Sequence, residues 1–512
     1  MHTERSSLEI LAPKEGKTLL DVGIVLRFLS LLTFVVSVWM LCPFLYATFT
    51  GGSDASAFAF SLAVGFFVAF ALFVSSRKSD IGGMRMREAL ASVAFSWVVA
   101  SAISALPYWI HGCAPTYADA FFEGMSGYTT TGSTILSDID SVPRGILLWR
   151  SLTHWLGGMG IIVLTLTIMP LIGTGGFQLY SAEAPGMVHE KLTPRVQQTA
   201  MILWLIYLAL TVTQTSFLVL CGMSFFDALT HSMGTISTGG FSPRGASVAY
   251  FGDARVEWII VFFMFASGAN FVLHYHAIKS RSLKAFFEDP EFRFYLLVVS
   301  SMCFTISLAL RLSGTYETFA ESLRFATFQV VSLVTTTGFV SADYEIWPVF
   351  CKALLFVSLF MGGCAGSTAG AIKQVRLLVL CGHVKRQLLR TLSPRAIVPL
   401  RVGDVSLEVN VVSSCLAFFA LYVFMFVGGT FLVSFYEPNL FTAMSGVAAT
   451  LSNVGPGFGS LGATGNFSAQ ANAAKWIYSF LMLCGRLELY TVLMLFSSVF
   501  WRDGAVLSRG NR

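Results

Sequence analysis

Long apolar runs alternate with short polar segments along almost the whole chain. A membrane-spanning helix needs about 20 mostly apolar residues, and about ten runs approach this length. The runs are 24–48, 57–75, 88–109, 147–173, 198–222, 256–278, 293–313, 347–381, 409–435 and 475–500. The pattern predicts an all-α polytopic membrane protein with about ten transmembrane helices.

The composition excludes a soluble globular protein. Of the 512 residues, 55% are hydrophobic and only 12% are charged, with a mean hydropathy of +0.71, whereas soluble proteins carry roughly 25% charged residues. The net charge of +5 reflects basic loops after the second, sixth and eighth runs, which the positive-inside rule places in the cytoplasm together with both termini. Their basic residues are Arg77, Lys78, Arg85, Arg87, Lys279, Arg281, Lys284, Lys385, Arg386, Arg390 and Arg395. Nucleic acid is therefore not predicted as a partner.

The chain lacks the residue patterns of an enzyme, a metal site or a nucleotide site. Its nine cysteines show no CxxC spacing, which argues against metal and disulfide frameworks. His274 and His276 stand two residues apart and so do not share a helical face. No GxxxxGK followed by Ser or Thr occurs, and GGMGII at 157–162 lies within an apolar run. We predict a protein that is not an enzyme and holds no cofactor of its own.

Four short polar segments between the apolar runs are similar to one another. Each places small or hydroxyl residues before a glycine, after about twelve residues that are too few to cross a bilayer but enough for a half-helix. The segments are GYTTTGSTI (127–135), GTISTGGFS (234–242), SLVTTTGFV (332–340) and ATLSNVGPGFG (449–459). The aligned glycines are Gly132, Gly239, Gly338 and Gly455. The predicted unit is helix, pore helix, hydroxyl–glycine loop and helix, repeated four times.

The four loops predict one ion pore with pseudo-four-fold symmetry, preceded by an N-terminal helix pair. Irregular backbone in lipid is tolerated only where protein buries it or where it lines a watery cavity. Glycine permits a positive φ, and rings of backbone carbonyls can replace the hydration shell of a potassium ion. Glycine and threonine also serve helix packing, but the recurrence favours a selectivity filter. The predicted divisions are 1–80 for the cytoplasmic N-terminal segment and helix pair, and 81–185, 186–285, 286–400 and 401–512 for pore repeats one to four.

These loops resemble the filters of the Trk/Ktr/HKT superfamily of potassium transporters, and the similarity covers nearly the whole chain. The two runs before residue 80 resemble the TrkH type and not the shorter KtrB type. The resemblance implies one filter glycine per repeat and potassium coordination by backbone oxygens. The residues it implicates are Thr130, Thr131, Gly132, Ser237, Thr238, Gly239, Thr336, Thr337, Gly338, Asn453, Val454 and Gly455. Because sodium-favouring relatives carry serine at the first filter glycine, Gly132 implies potassium selectivity, while the fourth loop lacks the hydroxyl pair.

The eighth run contains GGCAGSTAGAIK at 362–373. Each glycine costs a helix interior about 1 kcal/mol relative to alanine, and a run of roughly 35 residues is too long for one straight span at 1.5 Å per residue. Tight helix packing through small residues is the alternative, but a broken helix fits the length better. The family resemblance implies an intramembrane gate beneath the filter. Its residues are Gly362, Gly363, Gly366, Ser367, Thr368 and Gly370.

Arg486 is a charge inside the tenth apolar run. Such charges are costly and usually face a cavity or a partner, although a long side chain near a helix end can reach the interface. Glu488 is two residues away and so lies on another face, which suits an interhelical partner. The resemblance implies that Arg486 projects into the pore below the filter and restricts flow together with the gate.

The resemblance implies potassium uptake across the bacterial inner membrane, with a cytosolic TrkA-like subunit that binds nucleotide and with homodimerisation. The basic loop at 373–401 is a candidate docking surface for that subunit. A symporter coupled to protons or sodium is the alternative function, since such transporters also contain broken helices. Glu123 and Asp227, near the hairpins, suit cation attraction better than catalysis.

Overall fold

The computed structural model describes residues 20–79, 84–168, 196–395, 398–403 and 405–501. Apart from short 3-10 turns and one antiparallel pair of two-residue strands, the elements of these residues are α-helices, which confirms the predicted class. The strands are β1 (Arg401–Val402) and β2 (Val405–Ser406). In chain order the helices are α1 (Val22–Thr50), α2 (Ala55–Ser75), α3 (Met86–His111), α4 (Tyr117–Tyr128), α5 (Arg144–Ile168), α6 (Val196–Leu220), α7 (Phe225–Ile236), α8 (Ala254–Ser267), α9 (Phe271–Ser280), α10 (Lys284–Glu288), α11 (Pro290–Leu312), α12 (Phe319–Val334), α13 (Val349–Ser358), α14 (Gln374–Leu392), α15 (Val409–Val433), α16 (Leu440–Leu451), α17 (Asn472–Arg486), α18 (Tyr490–Met494) and α19 (Ser498–Trp501).

The apolar runs coincide with helices, but three runs are broken. Among the described residues, α1, α2, α3, α6, α11 and α15 are each long and apolar enough to cross a membrane. The run 347–381 is divided by the non-helical segment 359–373, as predicted. The runs 256–278 and 475–500, predicted as single spans, are broken as well: α8 and α9 meet at 99°, and α17 ends at Arg486.

Local backbone features mark the two unpredicted breaks. The side chain of Asn270 accepts a hydrogen bond from the backbone N–H of Val272 and so begins α9. After α17, Glu488 and Leu489 have φ values of +58° and +53°, a region that is unfavourable for residues with a Cβ atom. Because apolar residues continue across both positions, hydropathy did not indicate these breaks.

Some predicted boundaries fall outside the described residues. These are the division at residues 80 and 81, the last part of the fourth run, 169–173, the division between repeats at 185 and 186, and both chain termini. The division of the chain at residues 80, 185, 285 and 400 stays a prediction.

The four pore helices are α4, α7, α12 and α16, each of which lies between two longer helices in the chain. Each begins with a polar side chain that accepts a hydrogen bond from the backbone N–H three residues on, a cap worth about 1 kcal/mol. The capping residues are Thr116, Ser224, Thr318 and Asn439. We call the face at which these helices begin the filter face, and the face at which α3, α6, α11 and α15 begin the basic face.

Buried ion pairs join the first pore repeat to its neighbours. Arg150 of α5 contacts Glu123 of α4 at 2.7 Å, with both side chains almost completely buried, and also donates to the carbonyl of Ser242 in the second repeat at 3.1 Å. Lys475 of α17 contacts Asp119 of α4 at 2.5 Å. Because removing one partner leaves an uncompensated buried charge, these pairs fix the first repeat against the second and the fourth.

We expect Arg150→Met to destabilise the protein by about 3–5 kcal/mol, because Glu123 would stay buried without its cation. The measurement is the unfolding temperature of the detergent-solubilised protein, followed by tryptophan fluorescence. The control is Arg255→Met, since Arg255 is exposed and pairs with Asp253 at the surface; it should leave the unfolding temperature unchanged. Equal shifts in the two variants would contradict the prediction.

Candidate ion-binding site

The four loops that follow the pore helices share one backbone conformation. Each helix is followed by a hydroxyl residue, and the next residue has φ between +51° and +57° although it carries a side chain. Two positions later a glycine has φ between +78° and +107°. The left-handed residues with side chains are Thr130, Thr238, Thr336 and Asn453. The glycines are Gly132, Gly240, Gly338 and Gly455. Strain of this kind persists only where the surroundings over-determine the backbone, so the packing of the loops imposes it.

The structure corrects the register of the second loop by one residue. The equivalent glycine there is Gly240, with φ of +81°, and not Gly239. Ser237 therefore corresponds to Thr129, the residue that directly follows the first pore helix. The sequence STGG contains two adjacent glycines, and composition cannot choose between them. The first, third and fourth loops keep the predicted alignment.

The four glycines close a ring of backbone carbonyls. A Cβ atom built on each glycine would crowd the carbonyl oxygen of a residue in the next loop, in the order first to second, second to third, third to fourth and fourth to first. The pairs are Gly132 with Gly239, Gly240 with Thr337, Gly338 with Val454 and Gly455 with Thr131. The close approach requires glycine, because any other residue would place its Cβ atom against the oxygen. One carbonyl per repeat thus lies at the ring, the kind of donor set that coordinates dehydrated monovalent cations in channels.

Hydrogen bonds within and between the loops hold this ring. In every loop the residue after the left-handed position donates its N–H to the pore-helix carbonyl five residues earlier, at 2.8–2.9 Å. The amide of Asn453 donates to Thr131 Oγ1 and to the carbonyl of Met482, both at 2.9 Å. The fourth loop lacks the hydroxyl pair, and this amide joins it to the first loop instead. Sequence reasoning missed this role of Asn453. The only signal in the sequence was an asparagine at a position where the other loops have threonine.

The glycine-rich segment 359–373 contacts the positions at which the pore helices end and their loops begin. Gly370 donates its N–H to Thr336 Oγ1 at 2.7 Å, and Ala371 donates to the carbonyl of Ser452 at 2.9 Å. Thr368 Oγ1 donates to the carbonyl of Ile236, the last residue of α7, at 3.1 Å. Because the pore helices end at these positions, the segment lies on the basic-face side of the ring.

The other predicted gate glycines lie at contacts with the second repeat or form hydrogen bonds within the same segment. Cys364, next to Gly363, donates its N–H to the carbonyl of Gly268 at 2.8 Å, and the carbonyl of Gly366 accepts from Phe271 at 3.1 Å. Gly362 donates to the carbonyl of Ile372 at 2.9 Å. Ser367 forms a hydrogen bond within the segment, from its Oγ to the carbonyl of Cys364.

Arg486 reaches this segment from α17. Its guanidinium donates to the carbonyl of Thr368 at 2.8 Å and to that of Gly157 at 3.3 Å, and the residue is only 3% exposed. Within the described residues its bonds go to carbonyls and not to a carboxylate, so a net positive charge lies below the ring. Glu488 instead pairs with Arg376 of α14 at 2.6 Å, which confirms its predicted interhelical role.

The acidic residues near the hairpins are already paired. Asp227 contacts Arg244 at 2.8 Å, as Glu123 contacts Arg150. Each carboxylate is therefore neutralised by an arginine of a neighbouring segment, and the expectation that these residues attract cations does not agree with this geometry.

Comparison with known proteins identifies the family. The sequence model of the TrkH family, described as a cation transport protein, matches residues 57–503. The chain belongs to the TrkH family. Among the TrkH relatives, the Trk system potassium uptake protein TrkH of Escherichia coli strain K12 is 39% identical over 480 residues, which are 93% of this chain and 99% of the relative. The TrkH of Halomonas elongata is 38% identical over 487 residues, which are 94% of this chain and 100% of the relative.

A solved structure of a TrkH protein has the same fold. The crystal structure of the potassium transporter TrkH from Vibrio parahaemolyticus matches with a TM-score of 0.86 and 35% sequence identity, over 94% of this chain and 100% of that chain. At this similarity the helical membrane architecture described above is the TrkH architecture.

We expect Gly240→Ala to reduce cation transport at least about tenfold, because an alanine at this φ is strained by about 1–3 kcal/mol and its Cβ would meet the carbonyl of Thr337. The measurement is cation uptake by cells at matched protein levels. Gly428→Ala is the control, since a Cβ atom there meets nothing within 4 Å. Unchanged transport by Gly240→Ala would contradict the revised register.

Proposed function

We propose that this TrkH-family protein takes up potassium across the bacterial inner membrane through the carbonyl ring of the four loops. The observation that carries the proposal is the cyclic contact of each loop glycine with a carbonyl of the next loop. Backbone carbonyl rings suit potassium, and the relatives are named potassium uptake proteins. The membrane potential supplies about 2.3 kcal/mol per charge per 100 mV for inward movement.

The segment 359–373 and Arg486 form the gate in this proposal. The segment lies below the ring, and the guanidinium adds a fixed positive charge that opposes cation passage. The chain has no P-loop sequence, so control by nucleotide requires a partner. We propose a cytosolic TrkA-like subunit that binds the basic loop at 373–401, a homodimeric assembly, and cytoplasmic chain termini.

We expect Gly132→Ser to lower rubidium uptake at least about tenfold and to admit sodium, because a side chain at a φ of +86° costs about 1–3 kcal/mol and displaces one side of the ring. The measurement is radiolabelled rubidium and sodium uptake in a strain that lacks its own potassium uptake and supplies a TrkA-type partner. Gly428→Ser is the matched control.

The same assay can reject the proposed function. A parent protein that carries no rubidium with the partner present, or a Gly132→Ser variant identical to it, would contradict the filter. Net rubidium accumulation driven by a proton or sodium gradient alone would identify coupled symport instead.

We expect Arg486→Ala to raise partner-independent rubidium flux in proteoliposomes about tenfold, since a hydrogen bond from a charged group is worth roughly 1.5–3 kcal/mol and the bond to Thr368 would be lost. Arg486→Lys keeps the charge and should give a smaller rise. An unchanged flux in Arg486→Ala, at normal incorporation, would remove this arginine from the gate.

A further inference from the structure

One carboxylate contacts both the gate loop and the helix that follows it. Glu291 is the second residue of α11, and its Oε1 accepts hydrogen bonds from the N–H of Ala365 at 2.7 Å and from the N–H of Val375 at 3.0 Å. Ala365 lies near the middle of the segment 359–373, and Val375 lies in the first turn of α14. A single oxygen therefore joins the middle of the loop to the helix that follows it.

Glu291 is well placed to hold α14. Its exposed fraction is 2%, and a buried carboxylate is unfavourable unless hydrogen bonds satisfy it. Lys373, which precedes α14, provides no side-chain cap, and the first N–H groups of a helix need acceptors from elsewhere. Glu291 thus supplies, from another helix, the cap that α14 lacks.

Other contacts hold different parts of the loop. Its beginning is bonded to α14 by Gln374, which donates its N–H to the carbonyl of Gly363 at 3.1 Å and its Nε2 to that of Gly362 at 2.6 Å. Cys364 and Gly366 bond to the break in the second repeat, and Thr368 and Gly370 bond to Arg486 and the filter. Glu291 reaches the loop and α14 at the same oxygen, so movement of α14 would pull on Ala365 through it.

We propose that Glu291 is a positioning residue of the gate, which couples α14 to the intramembrane loop and keeps the loop against the filter. This inference rests on the gating role assigned above to the segment 359–373. Opening then requires α14 to move, with the loop following or one of the two bonds breaking.

Native cysteines allow a test in the whole protein. Cys364 is next to Ala365 and 1% exposed, whereas Cys303 lies farther along α11, the helix that carries Glu291. We expect Glu291→Ala in lipid vesicles to speed alkylation of Cys364 by N-ethylmaleimide severalfold to about tenfold, the change that loss of one buried hydrogen bond produces in a local opening equilibrium. Cys303, measured by mass spectrometry in the same sample, should stay unchanged. Glu291→Gln keeps an acceptor oxygen and should be close to the parent.

Rubidium flux into the same vesicles, without a partner subunit, decides the functional part. We expect Glu291→Ala to raise this rubidium flux severalfold.

Two labelling results would overturn the proposal. Unchanged Cys364 labelling would show that Glu291 does not anchor the loop, and equal acceleration at Cys303 would indicate general loosening of α11. Faster Cys364 labelling without faster flux, in vesicles where Arg486→Ala conducts, would overturn the gating role. If no variant conducts rubidium, the proposed transport function fails, while the labelling still decides whether Glu291 holds the loop.

Discussion

Non-helical backbone inside a membrane bundle must find its hydrogen-bond partners within the protein, and the rest of this structure follows from that constraint. Each filter loop bonds back to its own pore helix and presents its glycine to the next loop. The segment 359–373 bonds to Gln374, the first residue of the helix that follows it, and otherwise depends on more distant partners. It bonds to the third and fourth filter loops, to the break in the second repeat and to Glu291. The segment 359–373 and the loops above it are therefore joined by direct hydrogen bonds.

The arginine side chains have different kinds of hydrogen-bond partner on the two sides of the carbonyl ring. On the filter-face side, Arg150 and Arg244 are paired with carboxylates, so they fix hairpins without adding net charge. Below the ring, Arg486 bonds to backbone carbonyls and, within the described residues, to no carboxylate. Arginine suits both sites because its planar fork can bind several acceptors. The same residue type is thus paired with carboxylates above the ring and with carbonyls below it.

The four repeats are related but not identical, and their second helices differ most clearly. The second helix is bent at 99° in the second repeat, interrupted by fifteen non-helical residues, 359–373, in the third, and ends at Arg486 in the fourth. The fourth loop uses Asn453 where the other three use threonine. Symmetry around the ring is kept by glycines, whereas the helices below it diverge where one segment, supplied by the third repeat, contacts the second and fourth repeats.

The sequence alone determined the membrane class, the approximate helix positions, the four hydroxyl–glycine loops, the broken eighth run and the isolated charge of Arg486. These follow from local quantities: apolar length, composition and the presence of a charge among apolar residues. The tertiary structure alone decided that Gly240 and not Gly239 faces the third loop, because two adjacent glycines are equal in composition and only ring closure sets their φ values. It also decided the breaks after Ser267 and Arg486, which apolar residues conceal. The anchor Glu291 is 74 residues from Ala365, and no local pattern links a carboxylate to a donor so distant in the chain.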